Sequence, residues 1–508
     1  MEKGKSIMLQ GTASSVGKSL LTAALCRIFR QEGYNAAPFK SQNMASNSFI
    51  TEEGFEMGKA QAAQAEAAGI KPSAYMNPIL LKPSGDRQAE VIIKGKTYKS
   101  MTAMEYHEFK PQLKEMITEV YNDLISTYDI LVIEGAGSPA EINLRDKDIV
   151  NMGMAEIADC PVLLVGDIDR GGVFASIYGT IMLFTKEERR RVKGILINKF
   201  RGDRRILEPG LKMLEDLTGI PVVGVIPYGD FNIEDEDSLT QRFTKDINTE
   251  GKVTVEIVQL PHIANFTDFH VFETLPDVHI RYISRGESIG NPDILILPDS
   301  KNVIEDMKYL RESGLERDIM NAYKNGSYIF GISAGYEILG QKILDPHGLE
   351  GNIKDLKGIG LLDIETIFEQ EKRAAQVEGE VAFAGEDIHE NCKTSRIKGF
   401  VSHIGKSILL EGTKPFLQIS VRANEDARYT DGAVSRDGRV FGTYLHGIFD
   451  EIDFTQKFID NILREKGLTP SSNKVKTFEE FKNQEYAKLA KLVKENIDLE
   501  KIYKILEG

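Results

Sequence analysis

Short apolar runs alternate with amphipathic, helix-like segments along the first 235 residues of the chain. The apolar runs are typical of buried strands, and helical patterns separate most of them. This alternation predicts a parallel sheet with helices on both faces. The predicted strands are Ile7–Leu9, Asn35–Phe39, Ile130–Ile133, Val162–Val165, Ile195–Ile197 and Val222–Val225, and the predicted helices include Glu56–Ala68, Tyr106–Tyr121 and Ile149–Ala158.

The pattern breaks between Tyr228 and Lys252, where an acidic stretch is short of aliphatic residues. A second α/β unit begins at Val253–Val258, and its tail carries an amphipathic stripe at helical spacing after Thr477. We therefore predict four segments. They are a first domain at 1–235, a linker at 236–252, a second domain at 253–470 and a helical tail at 471–508.

Composition narrows the class of protein. The chain has 508 residues, 41% of them hydrophobic and 28% charged, which predicts a globular protein of two or three domains. No apolar run is long enough to span a membrane, and the first predicted strand begins too close to Met1 to leave room for a signal peptide. The net charge of −14 argues against nucleic acid as a partner.

The three cysteines are Cys26, Cys160 and Cys392. Their spacing fits neither a disulfide framework nor a zinc site, and a reducing cytoplasm is the expected location. Cys26 and Cys160 lie in apolar sequence and are predicted to be core residues.

The segment Gly11–Ser19 lies between the first predicted strand and a predicted helix. A strand, a glycine-bearing loop, Gly-Lys-Ser and a helix are the layout of a phosphate-binding loop. Lys18 is expected to reach the β- and γ-phosphates, and Ser19 to bind Mg²⁺. Thr12 stands where the first glycine of the usual motif is expected. The predicted nucleotide-binding residues are Thr12, Ser15, Val16, Gly17, Lys18, Ser19, Asn198 and Lys199.

Polar residues follow several of the predicted strands. Ligands of open parallel sheets bind outside the carboxyl ends of the strands, so these positions are the first candidates for chemistry. Glu134 is predicted to be a magnesium ligand beside Ser19. Asn198 and Lys199 are predicted to contact the nucleotide base. Three cations are candidates for binding substrate carboxylates or phosphate, namely Lys40, Lys82 and Arg170.

The second domain contains Gly331-Ile332-Ser333-Ala334-Gly335 between a predicted strand and helix, which is the pattern of a nucleophile elbow. His446 follows a later apolar strand. Ser333 and His446 are therefore a candidate nucleophile and base. From the residues alone, an ordinary strand-to-helix junction and an unrelated loop histidine are an equal alternative.

With these motifs identified, the chain resembles the cobyric acid synthase family over nearly its full length. The loop at Gly11–Ser19 is similar to the variant phosphate loop of that family and of dethiobiotin synthetases. Further matches are Ala37–Met44, Met76–Pro83, Glu134–Leu144, Asp167–Ala175, Asn198–Asp203 and Tyr444–Phe449.

The resemblance implies a dethiobiotin synthetase-like ATP-binding domain with a mostly parallel sheet, followed by a class I glutamine amidotransferase-like α/β domain. It implies that ATP and Mg²⁺ activate the b, d, e and g carboxylates of adenosylcobyrinic acid a,c-diamide as phosphates. Ammonia, made from glutamine in the second domain, then displaces the phosphate. The corrinoid and either glutamine or ammonia are the expected ligands, without nucleic acid or membrane.

The chain departs from the family's pattern at the second site. Ser333 stands where the family has cysteine, and a hydroxyl is a much weaker nucleophile than a thiolate. Asp299 replaces a glycine in a loop that, with Ser300 and Ala334, would form the oxyanion hole. Ile448 stands where related amidotransferases carry a glutamate that orients the histidine, and no carboxylate is evident that would complete a triad.

These departures predict a silent or very slow glutaminase. Ser333 is either an engineered substitution or the mark of a natural ammonia-dependent enzyme, and its reversion to cysteine is expected to restore the use of glutamine. Three other functions stay open. They are the sister enzyme that amidates the a and c carboxylates, a serine hydrolase built on Ser333, and a nucleotide switch of the partitioning-ATPase kind.

Overall fold

The first domain is built on a parallel six-stranded sheet. The computed structural model describes residues 4–85, 88–233, 247–383, 390–411, 413–471 and 477–508. Across the sheet the strands are Val222–Pro227, Val192–Phe200, Val162–Asp167, Lys5–Gly11, Ile130–Glu134 and Ala36–Phe39. The helices of this domain are Lys18–Gln31, Lys59–Ala67, Ala103–Thr127, Met152–Ala158, Val173–Leu183, Lys186–Arg191 and Arg204–Thr218.

The predicted parallel sheet is confirmed, and its order positions the first site. Lys5–Gly11 pairs with Val162–Asp167 on one side and with Ile130–Glu134 on the other. Because the strands are parallel, the phosphate-loop segment, Glu134 and Asp167 all come to the same edge.

All three predicted helices begin at a residue other than the predicted one, and the helix predicted from Ile149 begins only at Met152. Glu56–Gly58, predicted as helix, is a short strand that pairs with Ser48–Ile50, and the helix begins only at Lys59. The helix predicted to begin at Tyr106 begins at Ala103. The reason is a capping box: Glu105 N donates to Thr102 Oγ1 over 3.3 Å, and Thr102 N donates to the Glu105 carboxylate over 2.7 Å.

A small sheet branches from the first domain after Phe39. Its strands are Gln42–Met44, Ile79–Gly85, Gln88–Ile93 and Lys96–Thr102. Beside it, the pair Ser48–Ile50 and Glu56–Gly58 forms a hairpin that touches the second domain, and we call it the bridging hairpin.

The second domain contains a six-stranded sheet that is parallel except for one edge strand. Its strands, in order, are Val278–Ile283, Val253–Val258, Ile294–Leu297, Tyr328–Ile332, Val440–Thr443 and Ala433–Val434. A second, mostly antiparallel sheet comprises Asp355–Lys357, Lys342–Leu344, Ile364–Val381, Arg396–Leu409, Leu417–Arg422 and Glu425–Asp431. The helices are Val303–Ser313, Leu315–Lys324, Ala334–Leu339 and Ile452–Glu465.

The tail returns to the first domain. It forms the helices Phe478–Lys494 and Leu499–Glu507. Tyr486 and Leu489 enter the apolar core that contains helix Lys18–Gln31, and the Tyr486 hydroxyl donates to Glu66 over 3.2 Å. The predicted packing of the tail on the body is thus confirmed. Of the predicted linker, residues 236–246 lie outside the described residues.

All three cysteines are buried and free, which confirms the prediction that Cys26 and Cys160 are core residues. Burial raises the pKa of the Cys160 thiol to about 12. Within the described ranges, the helices lack the length and hydropathy that crossing a bilayer would require.

The bridging hairpin joins the domains through a buried ion-pair cluster. The Glu56 carboxylate accepts from Lys82 of the first domain and, over 2.5 Å, from Lys372 of the second. Burial alone would raise the pKa of Glu56, but the ammonium groups of Lys372 and Lys82 hold it well below its usual value. The stabilisation of the folded state by the ionised Glu56 is therefore complete above the ordinary glutamate pKa. It is lost as the pH falls through the lowered pKa of the folded state.

We expect Glu56→Gln to lower the free energy of unfolding by about 3 kcal/mol, because the buried Lys82 ammonium and the partly buried Lys372 ammonium would lose this counter-charge. Urea denaturation at neutral pH measures the change. The matched control is Glu52→Gln, whose exposed pair with Lys71 is screened by solvent, so the free energy of unfolding should stay close to the wild-type value. Equal effects of the two substitutions would contradict the prediction.

Candidate functional site

The phosphate-loop segment lies at the carboxyl edge of the sheet, where its lysine contacts the backbone of the same loop. Gly17 has φ +97°, and a Cβ atom there would lie 2.3 Å from Asn198 Nδ2, so the position requires glycine. Lys18 Nζ donates to the carbonyl oxygens of Ala13 and Gly137, over 3.2 and 3.1 Å. Both acceptors are backbone carbonyl groups, and phosphate oxygens are stronger acceptors for an ammonium group.

Asn198 and Lys199 hold this loop from the neighbouring strand. Asn198 Nδ2 donates to the Val16 carbonyl over 2.8 Å, and Lys199 Nζ donates to the Ser15 carbonyl over 2.6 Å. Lys199 also pairs with Asp167 at 2.9 Å. The two residues predicted to contact the base are thus beside the predicted loop, and their present contacts fix its backbone. Thr12 is anchored by its own amide, which donates to the Val165 carbonyl.

Glu134 is the centre of a buried polar cluster. Its side chain accepts from Ser19 Oγ over 2.8 Å, from Lys40 Nζ over 2.9 Å and from Gln64 Nε2 over 2.6 Å. Only 1% of Glu134 is exposed, so these donors replace the water that a carboxylate requires. The structure therefore brings together three of the predicted residues, Ser19, Lys40 and Glu134.

The sequence analysis did not identify the two glutamine side chains of this cluster. Gln61 Nε2 also approaches Glu134, at 3.4 Å, from the same helix as Gln64. The sequence does contain a feature that points to these two side chains. Both glutamines interrupt a run of alanines, and their three-residue spacing places them on one face of the helix.

The other predicted cations lie elsewhere. Lys82 is buried in the domain interface, where it donates to Ser48 Oγ over 3.0 Å besides its pair with Glu56. Arg170 is exposed in the turn after strand Val162–Asp167. Neither has a contact with the Glu134 cluster among the described residues.

The second site is a strained elbow at Ser333. Its backbone has φ +52° and ψ −112°, between strand Tyr328–Ile332 and helix Ala334–Leu339. A Cβ atom at Gly335 would lie 2.0 Å from the Leu297 carbonyl oxygen, so that turn needs a glycine. This is the geometry that exposes a central side chain at a helix N-terminus.

His446 is oriented by a carboxylate that the sequence reasoning missed. His446 Nδ1 lies 2.7 Å from Asp268 Oδ2, in a wholly buried setting. The interpretation that no carboxylate completes a triad was wrong, because Asp268 comes from the separate segment Phe266–Thr274 and replaces the glutamate that is absent at Ile448. His446 Nε2, the other ring nitrogen, is buried and has no hydrogen-bond partner among the described residues. The sequence feature that could have identified Asp268 is an acidic residue within an apolar, aromatic stretch.

Asp299 occupies the place of the expected oxyanion hole. The Ala334 amide donates to Asp299 Oδ1 over 3.4 Å, and Asn265 Nδ2 donates to Asp299 Oδ2 over 2.8 Å. Burial alone would raise the pKa of Asp299, but the Lys301 ammonium and a hydrogen bond from Ser333 help to hold it below its usual value. A carboxylate at this position repels the negative charge that an oxyanion hole must stabilise. Ser300 turns away, and its hydroxyl donates to Asp306.

Comparison with known proteins agrees with these two centres. Residues 7–238 match the CobQ/CobB/MinD/ParA nucleotide binding domain, and residues 254–454 match the CobB/CobQ-like glutamine amidotransferase domain. Three relatives, each a cobyric acid synthase, are similar over 99% of this chain. They come from Alkaliphilus metalliredigens (58% identity, 100% of its length), Thermoanaerobacter sp. (52%, 98%) and Streptococcus sanguinis (49%, 99%).

The two domains match in the order that the resemblance predicts, and the relatives that match over their full length share one activity. These findings support the cobyric acid synthase family. They do not support the three alternatives, which are the sister enzyme, a serine hydrolase and a nucleotide switch. The chain belongs to the cobyric acid synthase family.

Proposed function

We propose that this chain amidates the b, d, e and g carboxylates of adenosylcobyrinic acid a,c-diamide at the expense of ATP. The observation that carries the proposal is the cluster of Lys18, Ser19, Lys40 and Glu134 at the carboxyl edge of the first sheet. A substrate carboxylate oxygen attacks the γ-phosphorus and ADP leaves. Ammonia then attacks the acyl carbon, phosphate leaves and the nitrogen loses a proton.

Lys18 supports this reaction electrostatically. Its charge is held against two neutral carbonyl groups, and phosphate oxygens are stronger acceptors for it. Charge that develops on the transferred phosphoryl group would then be met by a preorganised cation. Lys40 has a different role, because its 2.9 Å pair with Glu134 holds that carboxylate in place beside Ser19.

Ser19 and Glu134 would hold Mg²⁺. In the described part of the chain no three histidine, cysteine or acidic side chains form a metal-binding group, so an all-protein cage is not available. A hydroxyl and one adjacent carboxylate nevertheless fit Mg²⁺, which binds few protein oxygens and completes its shell with phosphate and water. When bound, the ion neutralises charge on the phosphates.

The nitrogen donor is ammonia taken up as such, with glutamine used slowly or not at all. Ser333 is a poor nucleophile, since its hydroxyl bonds to Asp299 and His446 Nε2 has no hydrogen-bond partner among the described residues. Asp299 also accepts a hydrogen bond from the Ala334 amide, which an oxyanion would need. The same carboxylate argues against a serine hydrolase, although Asp268, His446 and Ser333 are the residue types of a triad. A cytoplasmic location, without nucleic acid partners, fits the acidic charge and the soluble substrates.

The test is the mass of the corrinoid product after incubation with adenosylcobyrinic acid a,c-diamide and magnesium-ATP. We expect successive amidation with ammonium and little or none with glutamine. Equal amidation with both donors would contradict the silent glutaminase. No product with either donor would overturn the whole assignment, and cobyrinic acid as the better substrate would favour the sister activity.

A further inference from the structure

The first domain exposes large apolar side chains on two neighbouring helices. Phe174, Tyr178 and Ile206 have 36%, 39% and 83% of their surface exposed, and we call these three residues the apolar platform. Phe174 and Tyr178 lie on helix Val173–Leu183, none of whose eleven residues is charged. A helix face that meets only water normally carries polar and charged residues, and an exposed apolar patch marks a binding surface.

The loops that lead into these helices lie beside the phosphate-loop segment. Strands Val162–Asp167 and Val192–Phe200 are neighbours in the sheet, and each helix begins a few residues after one of them. Lys199 Nζ donates both to the Ser15 carbonyl over 2.6 Å and to Asp167 over 2.9 Å. The ends of both strands are therefore tied to the loop that is expected to hold the phosphates.

The platform begins at this same sheet edge. Phe174 and Ile206 each lie in the first turn of their helix. The Phe174 ring packs on Gly210 of the second helix, where a Cβ atom would come within 2.7 Å of the ring. Ile206 and Gly210 are four residues apart and share one helix face, so Phe174 and Ile206 form a continuous apolar surface.

Guanidinium groups border the platform in the loops before the two helices, at Arg170, Arg201, Arg204 and Arg205. Two of them have acidic partners. Arg201 Nε lies 3.0 Å from Asp169, and Arg205 Nε lies 3.0 Å from Asp203. Arg170 and Arg204 are exposed, and neither forms an ion pair within the described part of the chain. This surface therefore has a local positive surplus in a chain whose net charge is −14.

An apolar surface with guanidinium groups at its border suits a large macrocycle that carries carboxylates on its periphery. Apolar contacts bind the ring, and guanidinium groups bind carboxylates. The corrinoid of the proposed reaction has this chemistry. Its b, d, e and g carboxylates have to reach the phosphate loop in turn, so the surface that holds the ring has to accept several orientations. Apolar contacts are non-directional and permit this.

We propose that the apolar platform, together with Arg170 and Arg204, is the docking surface for the corrinoid. The macrocycle lies on the three apolar side chains, and the carboxylate that reacts extends from it to the phosphate-loop segment. The two guanidinium groups hold carboxylates that are not reacting. The inference rests on the proposed amidation and assigns the residues that position its substrate.

The experiment is steady-state amidation at varied corrinoid, with magnesium-ATP and ammonium saturating. We expect Phe174→Ser and Ile206→Ser each to raise the KM for the corrinoid at least tenfold, while the KM for ATP stays at the wild-type value. The matched control is Leu217→Ser, which removes a residue that is 65% exposed on the same helix as Ile206. Leu217 lies roughly 16 Å further along that helix, so its loss should change neither constant.

Unchanged corrinoid KM in both platform variants would overturn the inference. An equal rise in Leu217→Ser would also overturn it, because the whole helix face would then serve another purpose, such as contact with a second copy of the chain. Absence of amidation in the wild type would overturn the proposed function instead.

The charged border is tested by Arg170→Gln and Arg204→Gln. We expect each to raise the corrinoid KM about fivefold at low ionic strength, with a smaller rise at high salt, because salt screens exposed charges. The control is Arg190→Gln, an exposed arginine on helix Lys186–Arg191, which precedes strand Val192–Phe200 at the opposite sheet edge. A corrinoid KM that stayed at the wild-type value in both border variants would contradict the assignment of these charges.

Hydroxyl-radical footprinting of the unmodified protein tests the docking surface without substitutions. We expect adenosylcobyrinic acid a,c-diamide to slow the oxidation of Phe174 and Tyr178. Met213, which is 64% exposed further along helix Arg204–Thr218, should be oxidised at the same rate with and without the corrinoid. Equal rates at Phe174 and Tyr178 with and without saturating corrinoid would overturn the inference.

Discussion

Lys18→Met is expected to lower the rate of ammonium-dependent amidation by about 10³-fold or more, the scale seen when a preorganised cation is removed from phosphoryl transfer. Methionine keeps the length and the apolar stem of lysine but removes the charge that faces the Ala13 and Gly137 carbonyl groups. The fold should be preserved, since neither carbonyl depends on an ionic partner. Corrinoid product mass against time measures the effect.

The matched control is Lys212→Met, an exposed lysine on helix Arg204–Thr218 at a distance in the chain from the phosphate-loop segment. It should leave the rate unchanged. If Lys18→Met retained more than a tenth of the wild-type rate, Lys18 would not be the phosphate-binding lysine, and the assignment of the loop would have to be revised.

The double variant Ser333→Cys with Asp299→Gly is expected to gain glutamine-dependent amidation by about 10²-fold or more over the wild type. The cysteine supplies a thiolate that His446 can stabilise, and glycine releases the Ala334 amide for an oxyanion. The single change Ser333→Cys should gain far less, because Asp299 would still accept that amide. The structure thus changes the expectation from sequence that the cysteine alone is sufficient.

Release of glutamate coupled to corrinoid amidation measures this gain. Ser420→Cys, an exposed serine in the second sheet of the same domain, is the control for adding a thiol, and it should leave glutamine inert. If the double variant amidated with ammonium while glutamine stayed inert, the block would lie outside the elbow and its oxyanion loop.

Local pattern was enough to predict the strands of the first sheet, the phosphate-loop segment and the Ser333 elbow. Each of these is a short stretch in which apolar run, glycine and polar residue follow one another in the chain. Glu134 was found for the same reason, since it directly follows a buried apolar run and shares a sheet edge with the loop.

The parts that were missed depend on residues distant in sequence. Asp268 reaches His446 across 178 positions, and Asn265 reaches both Asp299 and the bridging hairpin. Glu56 was assigned to a helix, but its backbone pairs with strand Ser48–Ile50 and its side chain pairs with Lys82 and Lys372. Such contacts are set by tertiary packing, which overrides local propensity.

The return of the tail to the first domain has a consequence for biosynthesis. Tyr486 and Leu489 complete an apolar core whose other members begin at Ile7, so this core cannot close until nearly the whole chain has left the ribosome. Domains usually fold in the order of synthesis, the N-terminal one first. Here part of the apolar core of the ATP-binding domain would stay exposed until the second domain and the tail have been synthesised.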